Sequence, residues 1–184
     1  MKARNIVKVN SKNSAILTAP TEYIEENEHE ELVREMQKRT FPWRFKLAVG
    51  VAGNQVGLAK QIFIAKIGQI WEYFINPIII WEDDGMYLEK EECLSIPRKQ
   101  ADLYRSNCVT VSWRDSSYYE FTRKFVGHEA RIVQHEIDHL KGILISDRLQ
   151  MQNTEHFKTK LKNHVGDLTF VGYEQRMKRH EEEG

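Results

Sequence analysis

The sequence predicts an α+β fold in which antiparallel or mixed β-sheets pack around one central helix. Three observations carry this expectation. Residues 61–67, 73–81 and 108–125 are apolar or alternating over strand lengths. Residues 127–142 then switch to a helical period. The strands come as a block before that helix, not in alternating strand–helix units, which favours α+β over a parallel α/β sheet. With 184 residues the chain has the length of one domain with at most an appendage. A chain of that size buries enough surface to need no disulfides.

The elements follow in order. From Glu22 to Arg39 the chain is rich in Glu, Lys and Arg, with Ile24, Leu32, Val33 and Met36 spaced along one face, so an amphipathic surface helix is expected. Residues 47–57 hold Gly50, Gly53 and Gly57 among small side chains, which suggests backbone held close to something else. Gln61 to Ile67 reads as a strand apolar on both faces and hence interior. Tyr73 to Trp81 is a second strand interrupted by Asn76-Pro77, where an edge or a bulge is expected. Val109, Val111 and Trp113, then Tyr119, Phe121, Arg123 and Phe125, flank the turn Asp115-Ser116-Ser117 and predict a hairpin. Ala130, Val133, Ile137 and Leu140 mark the central helix, apolar over much of its circumference and therefore buried, with Gly142 as its stop.

Composition excludes several function classes. Lys+Arg and Asp+Glu both number 27, so the chain lacks the basic excess of a general nucleic-acid binder, and no DNA partner is expected. No apolar run approaches a membrane span, and the N-terminus lacks the apolar core of a secretory signal. Two cysteines, Cys93 and Cys108, rule out a disulfide scaffold and suit a reducing compartment. The expected location is cytoplasmic, with an organelle left open.

The chemistry lies on the central helix, which contains His135-Glu136-Ile137-Asp138-His139. Side chains at i and i+4 leave the same face of a helix, so both imidazoles can share one metal ion. Glu136 is offset by roughly 100° and flanks the ligands, where a carboxylate can move the proton of a metal-bound water. Chance alone would place HExxH in about 3% of chains of this composition, so the motif needs a companion. Two His, a Glu and an Asp on so apolar a helix would be costly to bury without strong partners. A catalytic site of this kind uses three protein ligands. The metzincin pattern would require His at 145, and Ile145 stands there. Glu155 is a candidate of the thermolysin type. Cys93, in Glu91-Glu92-Cys93-Leu94-Ser95 with polar, turn-like neighbours, is the better candidate, whereas Cys108 opens a strand and reads as a buried hydrophobe.

Three segments in fixed order then resemble the peptide deformylase family. Its motif G-φ-G-φ-A-A-x-Q corresponds to Ala48-Val49-Gly50-Val51-Ala52-Gly53-Asn54-Gln55, E-G-C-L-S to Glu91–Ser95, and H-E-x-D-H to His135–His139. The resemblance covers roughly residues 5–150. It implies a catalytic domain over 1–150; the charged residues of 151–184 by themselves suggest an extension, part helix (Glu155 to Asn163) with a frayed tail. It implies that Cys93, His135 and His139 hold one divalent metal, Fe(II) as the usual physiological ion with Zn, Ni or Co also accepted. Glu136 would be general base and acid. The Gln55 side chain and the Leu94 backbone N–H would stabilise the oxyanion. Val49, Gly50 and Val51 would pair with the substrate peptide as an added strand. The implied reaction removes the formyl group from the N-terminal formylmethionine of nascent chains. In relatives a C-terminal helix can dock on the ribosome, and Lys158, Lys160 and Lys162 would suit an RNA surface, but a solvated charged helix is the favoured reading.

The match departs in places. Ala48 and Gly53 exchange one small residue for another. Glu92 replaces the glycine before the cysteine, putting a carboxylate at the rim, where it either points harmlessly to solvent or acts on the substrate by favouring basic side chains or narrowing the cleft. Asp138 is expected to orient a neighbour or cap a polar contact. Two rival readings stand beside the deformylase: a zincin-like protease using Glu155, and a catalytically weak relative that binds formylated chains.

Overall fold

The computed structural model describes residues 6–40 and 48–154. Among the described residues, seven strands form two sheets. β1 (Gly50–Ala52), β2 (Ile62–Ile67), β3 (Ile70–Glu82), β6 (Cys108–Arg114) and β7 (Glu120–Val126) make a five-stranded sheet in the order β1-β2-β3-β6-β7. β4 (Met86–Cys93) and β5 (Ile96–Ser106) make a separate two-stranded sheet, and all these pairings are antiparallel. Three helices accompany them: α1 (His29–Thr40), α2 (His128–Leu140) and α3 (Ile145–Gln152). The α+β expectation holds at this level.

α2 lies against one face of the large sheet. There Phe63, Phe74, Val111, Trp113 and Phe125 meet Val133 and Ile137 in one core, with the Phe63 and Phe74 rings stacked at 4.4 Å. The opposite face carries Val51, Ile62, Ile64 and Ile75, covered by Ile24 and by Met36 of α1. β2 is therefore apolar on both sides because both sides are covered, as its sequence implied. A third cluster, with Leu17, Leu103, Leu144 and Ile145, lies beneath the small sheet and includes Cys93. No helix among the described residues is long and apolar enough to cross a membrane.

Two expected elements change. The helix expected from Glu22 begins only at His29, after a short 3-10 turn over Glu26–Glu28. Upstream, Glu22 bridges to Lys60, and the backbone N–H and C=O of Ile24 are both held by the Asn76 side chain, at 2.9 and 2.8 Å. Those bonds fix residues 22–24 outside any helix. Asn76-Pro77 does produce a bulge, with the register shifting between Ile75 and Ile78, but β3 is the middle strand of its sheet rather than an edge. The 108–126 hairpin and the central helix stand where the periodicity placed them. β4, β5 and α3 were not foreseen; α3 runs through position 150. Glu155, the helix expected from Glu155 to Asn163 and the lysines at 158, 160 and 162 lie outside the described residues.

Candidate metal centre and active site

α2 presents His135 and His139 one turn apart, and the end of β4 brings Cys93 up to them. The ligand atoms of the three residues all lie within 4.8 Å of one another. Cys93 Sγ sits 3.2 Å from His139 Nε2. His135 Nδ1 is held 2.9 Å from the Glu91 carboxylate, which leaves Nε2 to face the cluster, the usual arrangement of a metal-ligating histidine. Cys93 is not in a turn, as its neighbours suggested; it closes a strand, and Leu94-Ser95 make the turn.

Burial alone would raise the Cys93 thiol, but hydrogen bonds with His135 and His139 bring it down to about 5. Burial alone would lower His135, yet Cys93 and Glu91 hold it up at about 10. A thiolate with imidazoles is the donor chemistry that zinc and iron accept. Glu136, 4% exposed, is raised above the ordinary carboxylate value by desolvation. Its Oε2 and His139 Nδ1 are buried without hydrogen-bond partners among the described residues. Donor set, spacing and the unpartnered carboxylate oxygen fit a bound divalent metal.

Gln55 reaches the same point from the 3-10 turn Asn54–Val56. Its Oε1 accepts from the Ala52 N–H at 2.9 Å, which fixes the amide so that Nε2 lies 3.3 Å from Ser95 Oγ and 3.6 Å from Cys93 Sγ. Gly50 lies against Glu136. Val49, Gly50, Glu92 and Leu94 all line the cleft, whose volume is about 710 Å³. Val51 does not join them, because its side chain points into the core beneath α1. Glu92 is exposed and accepts a hydrogen bond from Gln100 across the β4–β5 ladder.

A buried ionic network behind the ligands was not foreseen. Glu91 accepts from Arg105 at 2.6 and 3.0 Å and from Arg131 at 2.6 Å, besides its contact with His135. Arg105 continues to Asp138 at 2.7 Å, and Arg148 of α3 pairs with the same carboxylate. Asp138 thus does orient neighbours. One signal was available: Glu91 and Cys93 are two residues apart, and on a strand that puts both on one face. The polar neighbours of Cys93 disguise that strand.

A thiolate, two imidazoles and a desolvated carboxylate at the floor of an open cleft define a mononuclear metal hydrolase. More particularly, the chain belongs to the peptide deformylase family: the Polypeptide deformylase family model matches residues 3–155. A peptide deformylase of Pseudothermotoga lettingae is 34% identical over 128 residues, covering 70% of this chain and 74% of the relative. The crystal structure of peptide deformylase from Thermotoga maritima superposes with a TM-score of 0.70 at 26% identity, covering 81% of this chain and 99% of the other. A Met-Ala-Ser-bound class I type b peptide deformylase from Acinetobacter baumannii also gives 0.70 at 26% identity, covering 80% and 98%.

Proposed function

We propose the following route by which the chain removes the formyl group from N-terminal formylmethionine, releasing formate and a free amine. Cys93, His135 and His139 hold one divalent ion, with Fe(II) the resident metal and Zn, Ni or Co able to replace it. When bound, that ion lowers the pKa of water toward neutrality and polarises the formyl oxygen. Glu136 accepts the water's proton as the nucleophile attacks the formyl carbon. It then delivers a proton to the departing nitrogen, which converts a poor amide leaving group into an amine. Its raised pKa suits both duties. The Gln55 amide and the Leu94 backbone N–H are donors to the developing oxyanion, and the clamp from the Ala52 N–H holds the Gln55 amide in place beforehand. Among the described residues β1 is an edge strand paired only with β2, so its other side along Val49-Gly50 can take the substrate backbone as an added strand. The A. baumannii structure with Met-Ala-Ser bound supports a peptide in this cleft. Docking of residues 151–184 on the ribosome belongs to the same reading and rests on the sequence alone.

The single observation that carries this route is Glu136, buried beside a three-donor cluster at the floor of a cleft. Formate release from formyl-Met-Ala-Ser by iron-, nickel- or cobalt-loaded protein tests it. Glu136→Ala should lose about 10²–10⁴ in kcat while keeping its metal. Cys93→Ser should lose the metal itself. No release by any metal-loaded form would refute the activity. Metal retained by Cys93→Ser would remove Cys93 from the ligand set.

A further inference from the structure

The α2 face of the cleft is unusually polar for a pocket expected to hold a methionine side chain. His128, Arg131, Ile132, His135 and Glu136 line the cleft from this one helix. Arg131 precedes His135 by four residues, about 6 Å along the axis, and His128 precedes it by seven, about 10 Å. The side chain of the formylated residue branches from the carbon bonded to the reacting amide nitrogen, and the cleft floor beside the three-donor cluster is formed by this helix. Of the α2 residues that line the cleft, only Ile132 is apolar. Glu89 also lines the cleft and pairs with Arg131 Nε at 3.0 Å, while its side chain remains 45% exposed. The guanidinium also donates to Glu91, the Leu103 carbonyl and the Tyr87 carbonyl, so among the described residues three of its five N–H groups donate hydrogen bonds, in addition to the ion pair with Glu89. His128 is exposed and has no hydrogen bond or ion pair among the described residues.

We infer that His128 and Glu89 broaden the specificity of this site, so that a formylated residue with a polar side chain of methionine's length, glutamine above all, is also a substrate. The inference rests on the deformylase reading. A glutamine amide buried in a purely apolar pocket would lack partners and be rejected by about a hundredfold. Here the Glu89 carboxylate can accept from its N–H groups, and the His128 imidazole can donate to or accept from it.

The test compares kcat/KM for formyl-Met-Ala-Ser and formyl-Gln-Ala-Ser with the nickel-loaded protein, together with calorimetric Kd values for the products Met-Ala-Ser and Gln-Ala-Ser. The wild-type Met/Gln ratio should stay below about thirtyfold in both readouts, and His128→Leu and Glu89→Leu should each raise it by about tenfold. His128→Gln, which keeps a polar partner, should hold the wild-type ratio. Damage to the fold lowers both substrates together and leaves the ratio unchanged. A wild-type ratio above that limit, or one that neither leucine variant moves, overturns the inference. Absence of formate from both substrates would instead be a failure of the deformylase reading.

Discussion

Glycine at position 50 leaves room for the Glu136 side chain. A Cβ built there would lie 2.8 Å from Glu136 Cδ and 2.9 Å from its Cγ, closer than carbon atoms approach without displacement. The glycine-rich run announced that backbone passed close to something, and the something is the proposed proton carrier. Gly50→Ala should therefore push Glu136 out of line, and a displacement of about 1 Å in such a group costs about a hundredfold in rate. Steady-state kinetics should show the loss in kcat, while metal content stays at the wild-type level and Tm changes little. Full kcat in the alanine variant would show that Glu136 does not depend on this contact. The candidate histidine donors were legible at this scale because i,i+4 spacing on a helix is a local property. The role of Glu91 was not, since it exists only once a strand turns Glu91 and Cys93 to the same side and Arg105 and Arg131 arrive from 14 and 40 residues away.

Among the elements, α2 is the one whose ends decide the site, and Gly142 sets its C-terminal end. Its φ of +73° places it in the left-handed region, and a Cβ there would meet the Thr18 carbonyl oxygen at 2.6 Å and carbon at 2.7 Å. Both atoms are backbone and have little room to yield. Gly142→Ala should cost on the order of 3 kcal/mol, from left-handed strain plus the clash. The urea midpoint would record it, and an unchanged midpoint would mean that the 18–19 segment moves freely. That segment is tied to the helix end nearby, through the Thr21 N–H and hydroxyl on the Leu140 carbonyl at 3.0 and 2.9 Å. The periodic elements were readable because burial is written in apolar residues: β2, the β6–β7 hairpin and α2 all show it. β4 and β5 were unreadable for the opposite reason. Their buried side carries Glu91 and Arg105 where apolar residues would be expected, so the strand period is masked by charges that only tertiary partners neutralise. The bulge at Asn76 likewise has its purpose in Ile24, 52 residues upstream.

For the whole molecule, the zero net charge of the sequence is repeated inside it. Glu89, Glu91 and Asp138 are matched by Arg105, Arg131 and Arg148 in one connected network, three carboxylates to three guanidiniums. This network joins β4 and β5 to α2 and α3, so the small sheet that carries Cys93 is fastened to the helix that carries both histidines partly by charge. Burial opposes ionisation of Glu91, but His135 and Arg105 hold it well below the usual carboxylate range. Asp138 is likewise lowered against its burial by Arg148 and Arg105. The sign of the linkage follows. A carboxylate whose pKa is lower in the folded chain contributes fully above its unfolded value, about 4. As pH falls below that value the unfolded chain takes up the proton first, and the contribution is lost as pH approaches the folded pKa. These two carboxylates should therefore make the urea midpoint fall steeply below about pH 4. Arg148→Gln removes one of the cations that lower Asp138, so it should be less stable than wild type at neutral pH, and the two curves should converge on acidification. Comparing the variants also cancels the acid release of any metal, which both share. Curves that stay parallel down to pH 3 would mean that Arg148 stabilises the fold by packing its stem rather than by its charge.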